Sequence, residues 1–137
     1  MAGELRPLTA HRQRQIERAV HRAEELTGLQ LCVYLGPTGE DARGHAERLF
    51  LDAGLHSRPA ILVLVAPQAR RVEILTAPQV RGRVSDAAAQ RAVDRMTARL
   101  AQGDLVGGLE AGIAELAAAA GPGAPTGENL PDLLQGS

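Results

Sequence analysis

The spacing of hydrophobic positions changes period several times along this chain, and each change marks an element. Ile16, Ala19, Val20, Ala23 and Leu26 recur every three or four residues with Arg and Glu between them, which predicts an amphipathic helix. Thr9 is placed to cap its start and Gly28 to end it. From Leu29 to Leu35 the period falls to two, with Leu29, Leu31, Val33 and Leu35 on one side and Gln30, Cys32 and Tyr34 on the other, as in a strand. After the turn-forming Gly36-Pro37-Thr38-Gly39-Glu40, Asp41 caps a second helix whose inward positions are Ala42, Ala46, Leu49 and Phe50, with Gly54 as its stop. The run Ala60 to Ala66 is continuously apolar and rich in β-branched residues, so it reads as an inner strand covered on both faces. Pro67 ends it, and the turn Pro67-Gln68-Ala69-Arg70 sends the chain back into Arg71–Thr76, where alternation returns with Val72, Ile74 and Thr76 on one face.

The segment from Thr76 to Val84 is rich in turn formers, with a very short edge strand expected around Val80. Ser85 and Asp86 open a third helix with Ala89, Ala92, Val93, Met96 and Leu100 inward, closed by Gly103. Asp104 caps a fourth helix with the stripe Leu105, Leu109, Ile113, Leu116 and Ala120, and Gly108 and Gly112 open a groove one turn apart for another backbone. The fold class is therefore α/β, in the order α-β-α-β-β-α-α. A helical crossover makes the first two strands parallel, the hairpin makes the third antiparallel, and helices cover both faces of this small mixed sheet. Residues 1–8 form a flexible lead, 9–120 the domain, and 121–137 a disordered tail, because its Gly-Pro-rich composition buries too little to offset ordering.

Composition narrows the function. The 137 residues include 45% hydrophobics but only Tyr34 and Phe50 as aromatics, so the core is aliphatic. A net charge of −1 and no aromatic stacking platform argue against nucleic-acid binding. Every cationic side chain is Arg, which fits codon bias in a GC-rich genome. Cys32 is the only cysteine and reads as an inert buried thiol. His11, His21, His45 and His56 lack the spacing of a metal motif, so no metal or cofactor is expected. No apolar run is long enough for a membrane span and no signal peptide is visible, which points to a cytoplasmic location. The glycines of Gly36 to Asp41 make a turn; they match neither a Walker motif nor a dinucleotide fingerprint.

Several strings, taken in order, resemble the TPM domain, and more closely a small actinobacterial branch of that family. They are Ala23-Glu24-x-x-Thr27-Gly28, His45-Ala46-x-x-Leu49-Phe50, the hairpin with Arg70-Arg71-Val72-Glu73-Ile74, Val84-Ser85-Asp86, and Gln102-Gly103-Asp104-Leu105-x-Gly107-Gly108. The resemblance implies either an acid phosphatase that binds calcium through acidic loop residues or an assembly factor for membrane complexes. Asp86 matches an acid of the family pattern. His56-Ser57-Arg58-Pro59 and Leu8-Thr9 stand where the family commonly carries its other acids, so neither the metal nor the phosphatase activity is carried over, and no catalytic residue is assigned. Topology brings His56, Arg58, Arg81, Arg83 and Asp86 to one end of the sheet, a cationic mouth for a phosphate, a carboxylate or an acidic partner surface. The expected function is a non-catalytic protein-interaction or assembly module. The alternatives are a weak phosphatase-like hydrolase and a binder of small anions.

Overall fold

The computed structural model describes residues 9–123 and the strand Leu133–Gln135. Its elements are α1 (Ala10–Thr27), β1 (Gln30–Leu35), α2 (Ala42–Asp52), β2 (Ala60–Ala66), β3 (Arg71–Thr76), α3 (Asp86–Ala101), α4 (Leu105–Ala120) and β4 (Leu133–Gln135). The strand order is β3-β2-β1-β4. β1 and β2 are parallel, with Gln30 opposite Ala60, and β2 and β3 are antiparallel, with Ile61 opposite Thr76. The α/β class, the mixed sheet and the order of the seven elements from α1 to α4 agree with the sequence pattern.

The helix starts follow one local rule. Thr9, Asp41, Ser85 and Asp104 each turn a side-chain oxygen to a backbone N–H three residues on, satisfying a donor that the first turn leaves unpaired. Gly28 ends α1 with a φ of 74°, a left-handed conformation that costs a residue with a Cβ about 1 kcal/mol or more.

β2 is fully buried along its whole length and has a strand on each side, so it lies in the sheet interior. β1 is buried on both faces as well, beyond what its alternation suggests. Leu31 shares one face with Ile61 against α1 and α4, while Tyr34 on the other face stacks at 5.2 Å on His45 of α2. The helices α1, α3 and α4 thus cover one face of the sheet and α2 the other. The glycine groove on α4 is filled by α3: a Cβ at Gly112 would overlap the Met96 thioether, and one at Gly108 would lie 3.1 Å from the Cβ of Arg99.

Two expectations change. Around Val80 there is no edge strand; Pro78–Val80 form a 3-10 turn, because Pro78 lacks the N–H a ladder needs but fits the first position of a helical turn. Val80 is buried as a core residue. In the segment expected to be a disordered tail, Leu133–Gln135 pair with Val33–Leu35 as a parallel strand, since a bare β1 margin rewards even three residues with backbone hydrogen bonds. The first tail residues are also held, with the Gly123 N–H donating to Leu26 O at 3.0 Å. The rest of the tail, and the lead at residues 1–8, lie outside the described residues.

Candidate functional site

The loops that carry the five candidate residues do share one end of the sheet. The Ala77 N–H donates to Ala60 O at 3.0 Å, which ties the exit of β3 to the start of β2. Within that end the side chains have different occupations. His56 is exposed on a short 3-10 turn, Leu55–Ser57, and Arg58 is half-buried just before β2. Arg81 is exposed and donates through Nη2 to Thr76 O at 3.4 Å. Arg83 is half-buried, and its Nε and Nη2 donate to Ala120 O and Gly121 O at 3.1 and 2.7 Å. Its fork therefore satisfies carbonyls at the end of α4 and lies at the negative pole of that helix. Asp86 lies in the first turn of α3 and lines a groove that none of the other four candidates lines.

That groove, of about 570 Å³, runs along the outer margin of β3. Arg71, Val72, Glu73 and Ile74 form its floor, α3 forms one wall through Asp86, Ala89, Gln90, Val93 and Thr97, and Arg43 of α2 stands on the other side. Glu73 is mostly covered and accepts from two guanidiniums, Arg71 Nη2 at 3.0 Å and Arg43 Nη1 at 3.3 Å. Arg43 also pairs through Nε with Glu47 at 3.6 Å, so Glu73 and Glu47 together balance the two cations Arg43 and Arg71. Arg70 adds a third at the hairpin turn, where its φ of 53° places a non-glycine residue in the left-handed region at a cost of roughly 1–2 kcal/mol. Sequence reading did not assemble this site. Arg71 and Glu73 share a strand face in the pattern, but nothing in the sequence brings Arg43, some thirty residues earlier, beside them.

The calcium that the resemblance implies does not fit. Among the described residues no three His, Cys, Asp or Glu side chains gather as a metal site requires, and the carboxylates of the groove stand among arginines. Tyr34, buried beside α2, donates its hydroxyl to Pro37 O at 2.9 Å, and burial pushes its pKa above the ordinary value. The hydrogen bond ties down the loop after β1, and burial keeps the phenol neutral.

The model of the TPM domain matches residues 6–119, nearly the whole described unit. The chain belongs to the TPM domain family. Uncharacterized proteins from two strains of Mycobacterium tuberculosis are 33% identical over 97 residues, which is 69% of this chain and 56% of theirs. This TPM chain therefore spans just over half the length of those relatives. The BA42 protein of the psychrophilic bacterium Bizionia argentinensis has the same fold, with a TM-score of 0.85 at 23% identity over 96% of this chain and 97% of its own. The N-terminal domain of a Corynebacterium glutamicum protein aligns with a TM-score of 0.66 at 16% identity, covering 93% of this chain and 80% of that domain. Among the described residues of this TPM domain no helix is long and apolar enough to cross a membrane.

Proposed function

We propose that this TPM domain is a non-catalytic, cytoplasmic protein-interaction or assembly module. The observation that carries the reading is the groove along β3, where a strand margin lies open between α3 and Arg43. A hydrolase would need convergent acids, a nucleophile with its base, or a metal ligand set. In this groove the acids are Glu73, shared by two arginines, and Asp86 on the helix start. Ser85, the hydroxyl nearest Asp86 in sequence, accepts from the Ala88 N–H at 3.1 Å as a helix cap, with no base hydrogen-bonded to it among the described residues. Such a surface offers backbone pairing and charge, which are the means of recognising another protein.

The test is hydrolysis of p-nitrophenyl phosphate by the full chain, with and without added calcium or magnesium. The expected result is no turnover above buffer, and no difference between the parent chain and Asp86→Ala. Metal-dependent turnover that disappears in Asp86→Ala would overturn the reading in favour of a phosphatase-like hydrolase.

A further inference from the structure

In an antiparallel pair, every second residue exchanges its hydrogen bonds with the neighbouring strand, and the residues between turn their N–H and C=O outward. The Ala77 to Ala60 bond and the β2–β3 register together fix the phase: Glu73 and Leu75 bond inward to β2, and Val72, Ile74 and Thr76 face outward. At the opposite margin of the sheet the outward positions are occupied. β4 pairs with Val33–Leu35, and the Leu31 N–H donates to the Glu24 carboxylate at 2.9 Å. Along β3, Arg81 occupies Thr76 O, and among the described residues no strand pairs with Val72 or Ile74.

Resting on the interaction reading above, we propose that the outer margin of β3 takes up an extended acidic segment of a partner protein as an added strand. The dimensions suit one strand. The α3 wall from Asp86 to Thr97 is roughly 16 Å long at the helical rise, the span of about five strand residues. A second copy of this chain fits less well, because its own β3 lies on the floor of the same groove behind the same walls. Alternation then assigns the side chains of the guest. On one face they pack over Val72, Ile74, Ala89 and Val93, which favours small or β-branched residues. On the other they meet Arg43 and Arg71, which Glu73 and Glu47 together balance, and Arg70 at the hairpin turn, which adds a further cation for an acidic residue to meet. Chain order puts Asp86 at the far end of the groove, where the charge of Arg81 on Thr76 O offsets it, so Arg70 makes the hairpin end the more cationic and the acidic residues of the guest belong there. The same charges deter neutral strands from pairing with an open edge.

The experiment pans random linear peptides displayed on phage against the full chain, then titrates one synthesised enriched peptide while amide resonances are followed by NMR. Enriched sequences are expected to alternate apolar and acidic residues and to shift the Val72 and Ile74 amides in a saturable way. Arg71→Glu, at an exposed position, should weaken the peptide about fivefold or more. Val72→Pro removes an outward donor without removing a β2–β3 bond and should abolish binding, with its circular dichroism and melting showing that the fold is kept. No enrichment, or binding unchanged in both variants, overturns the proposal. Peptides that instead shift the loops of His56, Arg58 and Arg81 overturn it too, yet leave the interaction reading standing; phosphoester turnover overturns that reading itself. Concentration-dependent broadening at Val72 and Ile74 without peptide would give the margin to a second copy and also overturn the acidic guest.

Discussion

Arg83→Ala separates a fold-bearing arginine from a ligand-bearing one. In the folded chain the guanidinium forks between Ala120 O and Gly121 O at 3.1 and 2.7 Å, across 37 residues or more of sequence. A hydrogen bond involving a charged group contributes about 1.5–3 kcal/mol, so two at the low end amount to about 3 kcal/mol. Water reaching this half-buried site in the variant recovers part of that, and the expected loss is about 2 kcal/mol. For a chain of this size each kcal/mol is worth about 3–5 °C, so the melting temperature should fall by about 6–10 °C. Scanning calorimetry and urea unfolding both read it, and the urea slope should be unchanged. Arg83→Lys should recover less than half, because an ammonium is a point donor where a planar fork is needed. Melting within about 1 °C of the parent chain would refute the capping role. Unchanged melting together with lost affinity for an acidic ligand would return Arg83 to the cationic mouth.

Three further outcomes follow from single contacts. Tyr34 is the only tyrosine, so its ultraviolet titration reports one side chain: the midpoint in the folded chain should lie above 10.0, and stability should be full below that pH and decline as pH rises through the folded value, because the unfolded chain releases the proton first. A midpoint at or below 10.0 in the folded chain would contradict its burial. Gly112→Ala gains about 1 kcal/mol of helix propensity but forces the buried Met96 aside at about 1–3 kcal/mol, so thermal melting should show a net loss in the parent chain and a gain in a Met96→Ala background. Thr27 donates to Ala23 O at 2.7 Å and accepts from the Leu29 N–H at 3.1 Å while almost wholly buried. Thr27→Val should cost about 1–3 kcal/mol in urea unfolding, and Thr27→Ser, which keeps both bonds, clearly less.

What the sequence disclosed was whatever depends on neighbours along the chain. The apolar run Ala60–Ala66, the caps at Thr9, Asp41, Ser85 and Asp104, and the hairpin at Pro67 each follow from local pattern and turn chemistry, and each is where the pattern puts it. The glycines of α4 were legible as a close approach, though not that Met96 fills it. What escaped depends on residues distant in sequence. The alternation of β1 puts Gln30, Cys32 and Tyr34 on one side, but that α2 covers this side is set by residues beyond the strand. Arg83 looked like a loop cation until the end of α4 came into reach. The pairing of Leu133–Gln135 was invisible because its stabilisation comes from the backbone of β1, with which composition has little to do. The arginines of the candidate groove escape for the same reason: the pattern points to the loops at one end of the sheet, while Arg43, Arg70 and Arg71 line a groove along its side.

Amide hydrogen exchange along β3 in the free chain tests the open margin most directly. Glu73 and Leu75, bonded to β2, should exchange slowly, while Val72 and Ile74 between them exchange orders of magnitude faster and slow down only when an acidic peptide is bound. Uniform protection of all four amides in the free chain would mean that something already pairs with that margin, and the strand-docking account would fall.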